Sequence, residues 1–432
     1  MTLPSRKCMA DATSSDQRLL DCLCSAPDPA SKAQLAEFAV SDWNRVVASA
    51  TKHGVRPLLY ERLTSVATAA EVPDTMLALL RESFLVNGLR NSLLYQDLGD
   101  VLEGFEQESI LVIVLKGAHL AHLVYETSAS RQMADIDLLV KPSDLPKAAA
   151  RLIKLGYACE IEVCDIQAWR ETHPGLHHLP SFAKPAHPRI EIHWTIQHVS
   201  DPGKIAGCWQ RARPAIIAGI KTRVLSPEDL VVHICLHSRL HRFSQGLRPL
   251  WDLSQAIRHH QREIKWDQVR SCARAWQAER CVHLGLWLGK ELMNAPVPET
   301  VLTSLQPVDF DADWAALAKQ IVLTGEDVPH KTKYALRLSE VLLAWRRSAS
   351  YSDKVRLFLR ETFPSRDYMK QYLAQRKPLS LSPIRIFTCR LMRVMHILCM
   401  CALAAKDRAF AGQSSDCWRR LRWNRWLDET AS

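Results

Sequence analysis

The chain has 432 residues, enough for two or three domains, and its 47% hydrophobic and 24% charged content is that of an ordinary globular protein. The formal net charge of +10 favours acidic partners such as nucleotides or an anionic surface, but the excess is spread rather than blocked, so it does not by itself indicate nucleic acid. The N-terminus lacks the apolar core of a signal peptide, no stretch reaches bilayer-spanning length, and the 13 cysteines are scattered without CxxC or zinc spacing; these features exclude a secreted disulfide scaffold, and a reduced, cytoplasmic protein is expected.

Residues 16–99 carry apolar positions at helical spacing, as in Leu19, Leu20 and Leu23 and again in Val46, Val47 and Ala50. Ser41 or Asp42 is the expected N-cap of one helix. At Lys52-His53-Gly54-Val55-Arg56-Pro57 the glycine ends a helix, with His53 in its C-cap, and Pro57 begins the next. A helix over 91–106 leads into an apolar strand at 111–115, which stops at Lys116-Gly117. A helix from Ala118 follows, then a polar turn with Ser128, Ser130 and Arg131, then Asp135-Ile136-Asp137 at the head of a second strand.

On a strand, Asp135 and Asp137 project from one face. Two carboxylates this close raise each other's pKa unless a cation joins them, and carboxylate oxygens completed by phosphates suit Mg2+. A bare DxD is also found as two solvated acids at a strand end. Strand, glycine, then helix adds a second signal: backbone N–H groups and a positive helix end are placed where a phosphate can sit, and Gly117 lets the backbone approach closely. Lys116 stands where it can add a charge near the phosphates, or it is a solvated lysine at a strand end.

Further on, Pro142-Ser143-Asp144 starts a helix to about Leu155, and 157–163 is expected to be a strand. Residues 173–188 are rich in His and Pro, which is loop chemistry; His173, His177, His178 and His187 fit no zinc template. Residues 189–194 alternate polar and apolar as a half-buried strand, so Glu191 and His193 share a face. Ser226-Pro227-Glu228-Asp229 is a sharp helix start. That helix carries His233, His237 and His241 four residues apart, either a metal- or phosphate-binding ridge or simply a polar face. Pro249 restarts a helix, Arg248 is suited to phosphate, and Asp252 to pinning Arg248 or the histidines. From Glu263 on the chain reads as helical and basic. Residues 384–405 form a basic amphipathic stretch that reads as a core helix with solvated arginines or as a surface for a membrane or a partner, and the last helix, 418–426, interleaves arginine and tryptophan without any recognised nucleic-acid module.

The run Leu115-Lys116-Gly117, a helix, and then Arg131-x-x-x-Asp135-Ile136-Asp137-Leu138-Leu139-Val140 resembles the uncharacterised nucleotidyltransferase family of the DNA polymerase beta-type superfamily. On that resemblance Gly117 matches the family's first glycine, and Asp135 and Asp137 its acidic pair. Ala118 stands where many members have Ser or Gly, which removes a hydroxyl contact to phosphate but not the backbone contacts. The family expects an acid, a hydrophobe and His-Trp on a later strand, and this chain has Glu191-Ile192-His193-Trp194. It also has a His-Gly-Val turn before Pro-Leu-Leu-Tyr, a Pro-Glu-Asp helix start with histidines, and Leu-Arg-x-Leu-x-Asp, here 247–252. Thr362-Phe363-Pro364-Ser365 matches its C-terminal part, so the resemblance spans about 42–372.

An α+β fold is therefore expected: an N-terminal helical segment over 1–105, a nucleotidyltransferase-like core with a small mixed sheet over 106–224, and a C-terminal helical domain over 225–432. The resemblance implies transfer of an NMP from an NTP, such as ATP, to a hydroxyl-type acceptor with release of pyrophosphate. The acceptor can be a small molecule, sugar, peptide or protein. Asp135, Asp137 and Glu191 are the expected catalytic and metal-holding acids, with Mg2+ or Mn2+. Lys116, Gly117, Ala118, Arg131, His193, His237 and Arg248 are the expected nucleotide contacts, with His178 on the substrate side and His53 a further candidate. The alternative is a non-catalytic nucleotidyltransferase-like binding or maturation partner. A metal hydrolase on the His233/His237/His241 ridge lacks the usual glutamate between ligands.

Overall fold

The computed structural model describes residues 6–24, 33, 35–65, 72–160, 162–172, 176–196, 202–324 and 422–428. The chain divides into two compact units, 1–326 with 430–432, and 327–429. Of the second unit a short helix at 422–428 is described, with Trp423 stacked on Trp426 at 5.7 Å. The expected basic helix at 384–405, the 362–365 match and His173 lie outside the described residues.

The first unit is α+β, as expected. Helices α1 (Arg6–Cys24), α2 (Val40–Lys52), α3 (Arg56–Ser65) and α4 (Asp74–Gln107) precede a five-stranded sheet. Asp42 does not cap α2 from its first position. The helix begins at Val40, and the Asp42 carboxylate reaches back to the Ala39 N–H at 3.1 Å. His53 is the C-cap of α2, Gly54 takes φ 66°, and Pro57 sits in the first turn of α3, so the break falls where the glycine–proline pair puts it. Helix α4 is much longer than the expected 91–106.

The sheet runs β3-β2-β1-β5-β4, with β1 Val112–Val114, β2 Asp135–Val140, β3 Arg189–His193, β4 Arg213–Ile217 and β5 Ile220–Val224. It is mixed: β1 is antiparallel to β2 and parallel to β5, while β2 and β3 run parallel. Helix α5 (Lys116–Leu123) follows β1, starting at Lys116 rather than Ala118. Helices α6 (Leu145–Lys154), α7 (Ile166–Thr172) and α8 (Pro202–Arg211) come next. The core packs Leu98, Val101 and Phe105 of α4 against Ile136, Leu138 and Val140 of β2 and Ile190 and Ile192 of β3, all fully or nearly fully buried. These are the apolar positions that alternate with the acids.

The strand expected at 157–163 does not form. Ala158 makes a single bridge with Ala183. The pairing goes no further among the described residues, and a 3-10 turn at Val163–Asp165 follows. A hairpin was not anticipated: β4 and β5 turn over Ala218 and Gly219, both at positive φ. Pro214 is tolerated because β4 is the sheet edge.

After β5 come α9 (Pro227–Leu240) and α10 (Arg248–His259), then four further helices between Trp266 and Thr324. Ser226 caps α9 as expected, accepting from the Asp229 N–H at 3.2 Å. The described cysteines are free thiols, and among the described residues no helix is long and apolar enough to cross a membrane.

Candidate functional site

Register assembles the site. Parallel pairing of β2 with β3 sets Asp137 opposite Glu191, with His193 two residues further on. Ligand atoms of Asp137, Glu191 and His193 all lie within 4.8 Å of one another. No other group of three or more His, Cys, Asp or Glu converges in this way among the described residues, so the His233/His237/His241 ridge does not form one. Asp135 shares the strand face but gives no ligand atom to this group.

Two cationic or polar neighbours hold Asp137. Lys116 Nζ donates to Oδ1 at 2.7 Å, and His193 Nε2 meets the same oxygen at 2.8 Å. Burial alone would raise this carboxyl's pKa, but Lys116 and His193 outweigh it and keep Asp137 well below the ordinary carboxylate value. Asp137 is therefore ionised and accepts from His193 Nε2, while the buried Nδ1 of His193 has no hydrogen-bond partner among the described residues. Glu191 is also drawn below its usual value, chiefly by His193 at 3.7 Å, against the effect of burial. Ser181 donates to its other oxygen at 3.1 Å. Asp135 goes the other way: burial and then Asp137 push its pKa up.

Histidines line one side. The rings of His178 and His177 lie 5.1 and 5.4 Å from that of His193. Burial and the neighbouring His193 push His177 down to about 3, so it is neutral. From α9, His233 is 2% exposed, neither ring nitrogen has a hydrogen-bond partner among the described residues, and burial with the nearby Lys116 charge holds its pKa at about 3. His237 is likewise held neutral by burial and Lys116, and its ring packs edge-on against that of His241 at 4.7 Å.

The turn that presents Lys116 is held from below. Lys116 takes φ 40°, the left-handed region that non-glycine residues avoid, at the start of α5. Gly117 is buried, and a Cβ there would meet Arg131 Nη1 at 2.7 Å, so the glycine is required by close packing. Ala118 is buried in the core, with its carbonyl accepting from Tyr95 at 2.9 Å. Arg131 is committed to the scaffold. Its Nε and Nη2 each donate to Asp252 of α10 at 2.8 Å, and Tyr125 donates to the same carboxylate at 2.7 Å. Asp252 thus pins Arg131, not Arg248 or the histidines. Asn87 and Asn91, four apart on α4, clamp the carbonyls of Ser128, Ala129 and Arg131 at 2.6–3.1 Å.

Arg248 opens α10, and its guanidinium lies 3.6 Å from the position of a Cβ on Gly54. It has no hydrogen bond or ion pair to a described residue. Burial and the Arg131 charge lower its pKa, with Asp135 among the acids opposing them. His53, by contrast, serves the helical segment, with Nε2 3.2 Å from the buried Asp16. Ser181, Tyr125, Asn87 and Asn91 were not anticipated. The amide pair at helical spacing on an otherwise apolar face was a readable signal; a serine in a loop carried none.

Two carboxylate oxygens, and the His193 nitrogen once it gives up the proton it donates to Asp137, fit a small divalent cation, the oxygens suiting Mg2+ and the nitrogen also Mn2+. Residues 39–294 match the family described as uncharacterised nucleotidyltransferase. No curated protein and no solved structure matches the chain.

Proposed function

The chain belongs to the uncharacterised nucleotidyltransferase family, and we propose that it transfers a nucleoside monophosphate from an NTP to a hydroxyl-bearing acceptor, releasing pyrophosphate. The observation that carries this reading is the convergence of Asp137, Glu191 and His193 beside the Lys116 turn.

The acceptor oxygen attacks the α-phosphorus, and the bond from that phosphorus to the oxygen bridging to the β-phosphorus breaks. The acceptor's proton passes to the Glu191 carboxylate, which is ionised near neutral pH because its pKa is held down. Asp137, Glu191 and His193 would hold Mg2+ or Mn2+, with Asp135 on the same face. A cation held there neutralises phosphate charge and lowers the acceptor's pKa. The first-turn amides of α5, from Gly117 and Ala118, have no partner within the helix and form the positive end of its dipole, so they suit a phosphate. Lys116, Arg248 and His237 supply charge and hydrogen bonds around it. Arg131 acts beneath the turn, through Gly117. Positioning and charge neutralisation supply most of the rate.

The test is transfer from α-labelled NTPs with Mg2+ or Mn2+ into candidate acceptors, comparing wild type with Glu191→Gln. Glu191 is only half-buried and the amide keeps a Ser181 partner, so the variant should fold normally. Turnover should fall roughly 10²- to 10⁴-fold. Near-normal turnover in Glu191→Gln would remove Glu191 from the reaction.

A further inference from the structure

Asp137 is neutralised here by the protein's own cation. Its carboxylate is 3% exposed, and Lys116 Nζ lies 2.7 Å from Oδ1. An isolated charge so deeply buried is strongly disfavoured, so this lysine makes the ionised carboxylate tolerable. The same carboxylate is a member of the group that fits a divalent cation. The two roles compete. An ammonium in contact with that carboxylate repels a divalent ion bound to it at close range.

Lys116 is also built to leave. Its side chain is 18% exposed, and Asp137 is the one hydrogen-bond partner it has among the described residues. Its backbone is held at φ 40°, a conformation that costs energy and persists only while surrounding contacts impose it. The lysine stands at the first position of α5, beside the amides suited to phosphate.

We propose that Lys116 is the resident counter-ion of this site: it closes the Asp137 carboxylate in the cation-free protein, is displaced when a divalent cation binds, and then pairs with the nucleotide's phosphates. This rests on the proposed nucleotidyl-transfer reading, since it presumes a cation at these acids. It follows that a cation alone binds weakly, because it must break an ion pair. The nucleotide restores a partner to the released ammonium, so cation and nucleotide favour each other's binding.

The test measures Mn2+ affinity without nucleotide, from the electron paramagnetic resonance signal of free Mn2+. Wild type is compared with Lys116→Met, Lys116→Arg and Arg248→Gln. Lys116→Met should bind Mn2+ at least about tenfold more tightly than wild type, because the competing charge is gone. Lys116→Arg, which keeps a cation, should stay near wild type. Arg248→Gln removes an equal charge that does not touch Asp137, and should change affinity by less than about threefold. Equal or weaker binding in Lys116→Met overturns the proposal, as does equal tightening in Arg248→Gln. Absence of Mn2+ binding in both wild type and Lys116→Met defeats the cation reading itself, and the proposal with it. If Lys116→Met does not fold, the wild-type protein decides through the 15N signal of the Lys116 ammonium. That signal should shift on Mg2+ addition; an unmoved signal under saturating Mg2+ overturns the proposal.

Discussion

Replacing Asp252 with Asn removes the charge that holds Arg131 and changes almost nothing else in size. Both partners are buried, with side chains 10% and 7% exposed, and two hydrogen bonds of 2.8 Å join them. Burial depresses the Arg131 pKa and Asp252 opposes it; without Asp252 the guanidinium still stays charged, because the intrinsic pKa of arginine lies far above neutrality. Removing one partner of such a pair leaves an uncompensated buried charge and costs about 3–5 kcal/mol. The amide group also turns donors toward Arg131, while the Tyr125 hydroxyl keeps an acceptor. At roughly 2–4 °C per kcal/mol, melting should fall by about 6–20 °C. Urea denaturation of Asp252→Asn and of the double variant Arg131→Met/Asp252→Leu is the assay. The double variant should recover most of the loss, since it buries no charge. A loss below about 1 kcal/mol in Asp252→Asn would refute the reasoning, because it would mean that the pair bears little of the buried charge.

Gly117→Ala should destabilise by about 1–3 kcal/mol, because the new Cβ meets Arg131 Nη1 at 2.7 Å and Asp252 prevents the guanidinium from retreating. A stability equal to wild type in the same denaturation assay would show that the turn is looser than drawn. His119 and His233, each 2% exposed, have folded pKa values pushed down by burial to about 3, below the unfolded value of about 6.5. The unfolded chain therefore binds more protons between those values. Stability from these groups is complete above about pH 6.5 and is lost as pH falls toward 3, each histidine costing about 2 kcal/mol by pH 5. His233→Gln should lose about 2 kcal/mol less than wild type between pH 7 and pH 5, and an unchanged pH slope would contradict a neutral buried His233. Arg248→Lys should leave melting unchanged, as Arg248 has no ion pair to a described residue, yet raise the KM for NTP by losing the two-pronged contact. Lost stability with normal KM would make Arg248 a packing residue.

Strand and cap chemistry was largely legible in the sequence. The alternation in 135–140 and 189–193 set which residues face the core, and the Ser226-Pro227 and Gly54-Pro57 signals placed helix ends. The convergence of Glu191 with Asp137 was expected only through a family resemblance, because strand pairing across 54 residues leaves no local pattern. The same distance hid the Arg131–Asp252 pair, 121 residues apart, so Arg131 read as a nucleotide contact. The strand expected at 157–163 is reduced to one bridge, Ala158 with Ala183, ahead of a 3-10 turn at Val163–Asp165. His233 looked like one member of a polar ridge, and its full burial sets it apart from His241 at the exposed helix end.

The cation reading is tested most directly by thermal shift with Mg2+ and a non-hydrolysable NTP, in wild type and in Asp137→Asn. At about 100 times Kd, specific binding should stabilise wild type by about 2.7 kcal/mol. Asp137→Asn should keep the His193 hydrogen bond through its amide oxygen while losing the carboxylate on which the donor group centres. Each protein is compared with its own ligand-free melting point, so any loss of basal stability cancels. A shift in wild type that is abolished in Asp137→Asn is the expected result. An equal shift in both would contradict the assignment of Asp137 and the site built around it.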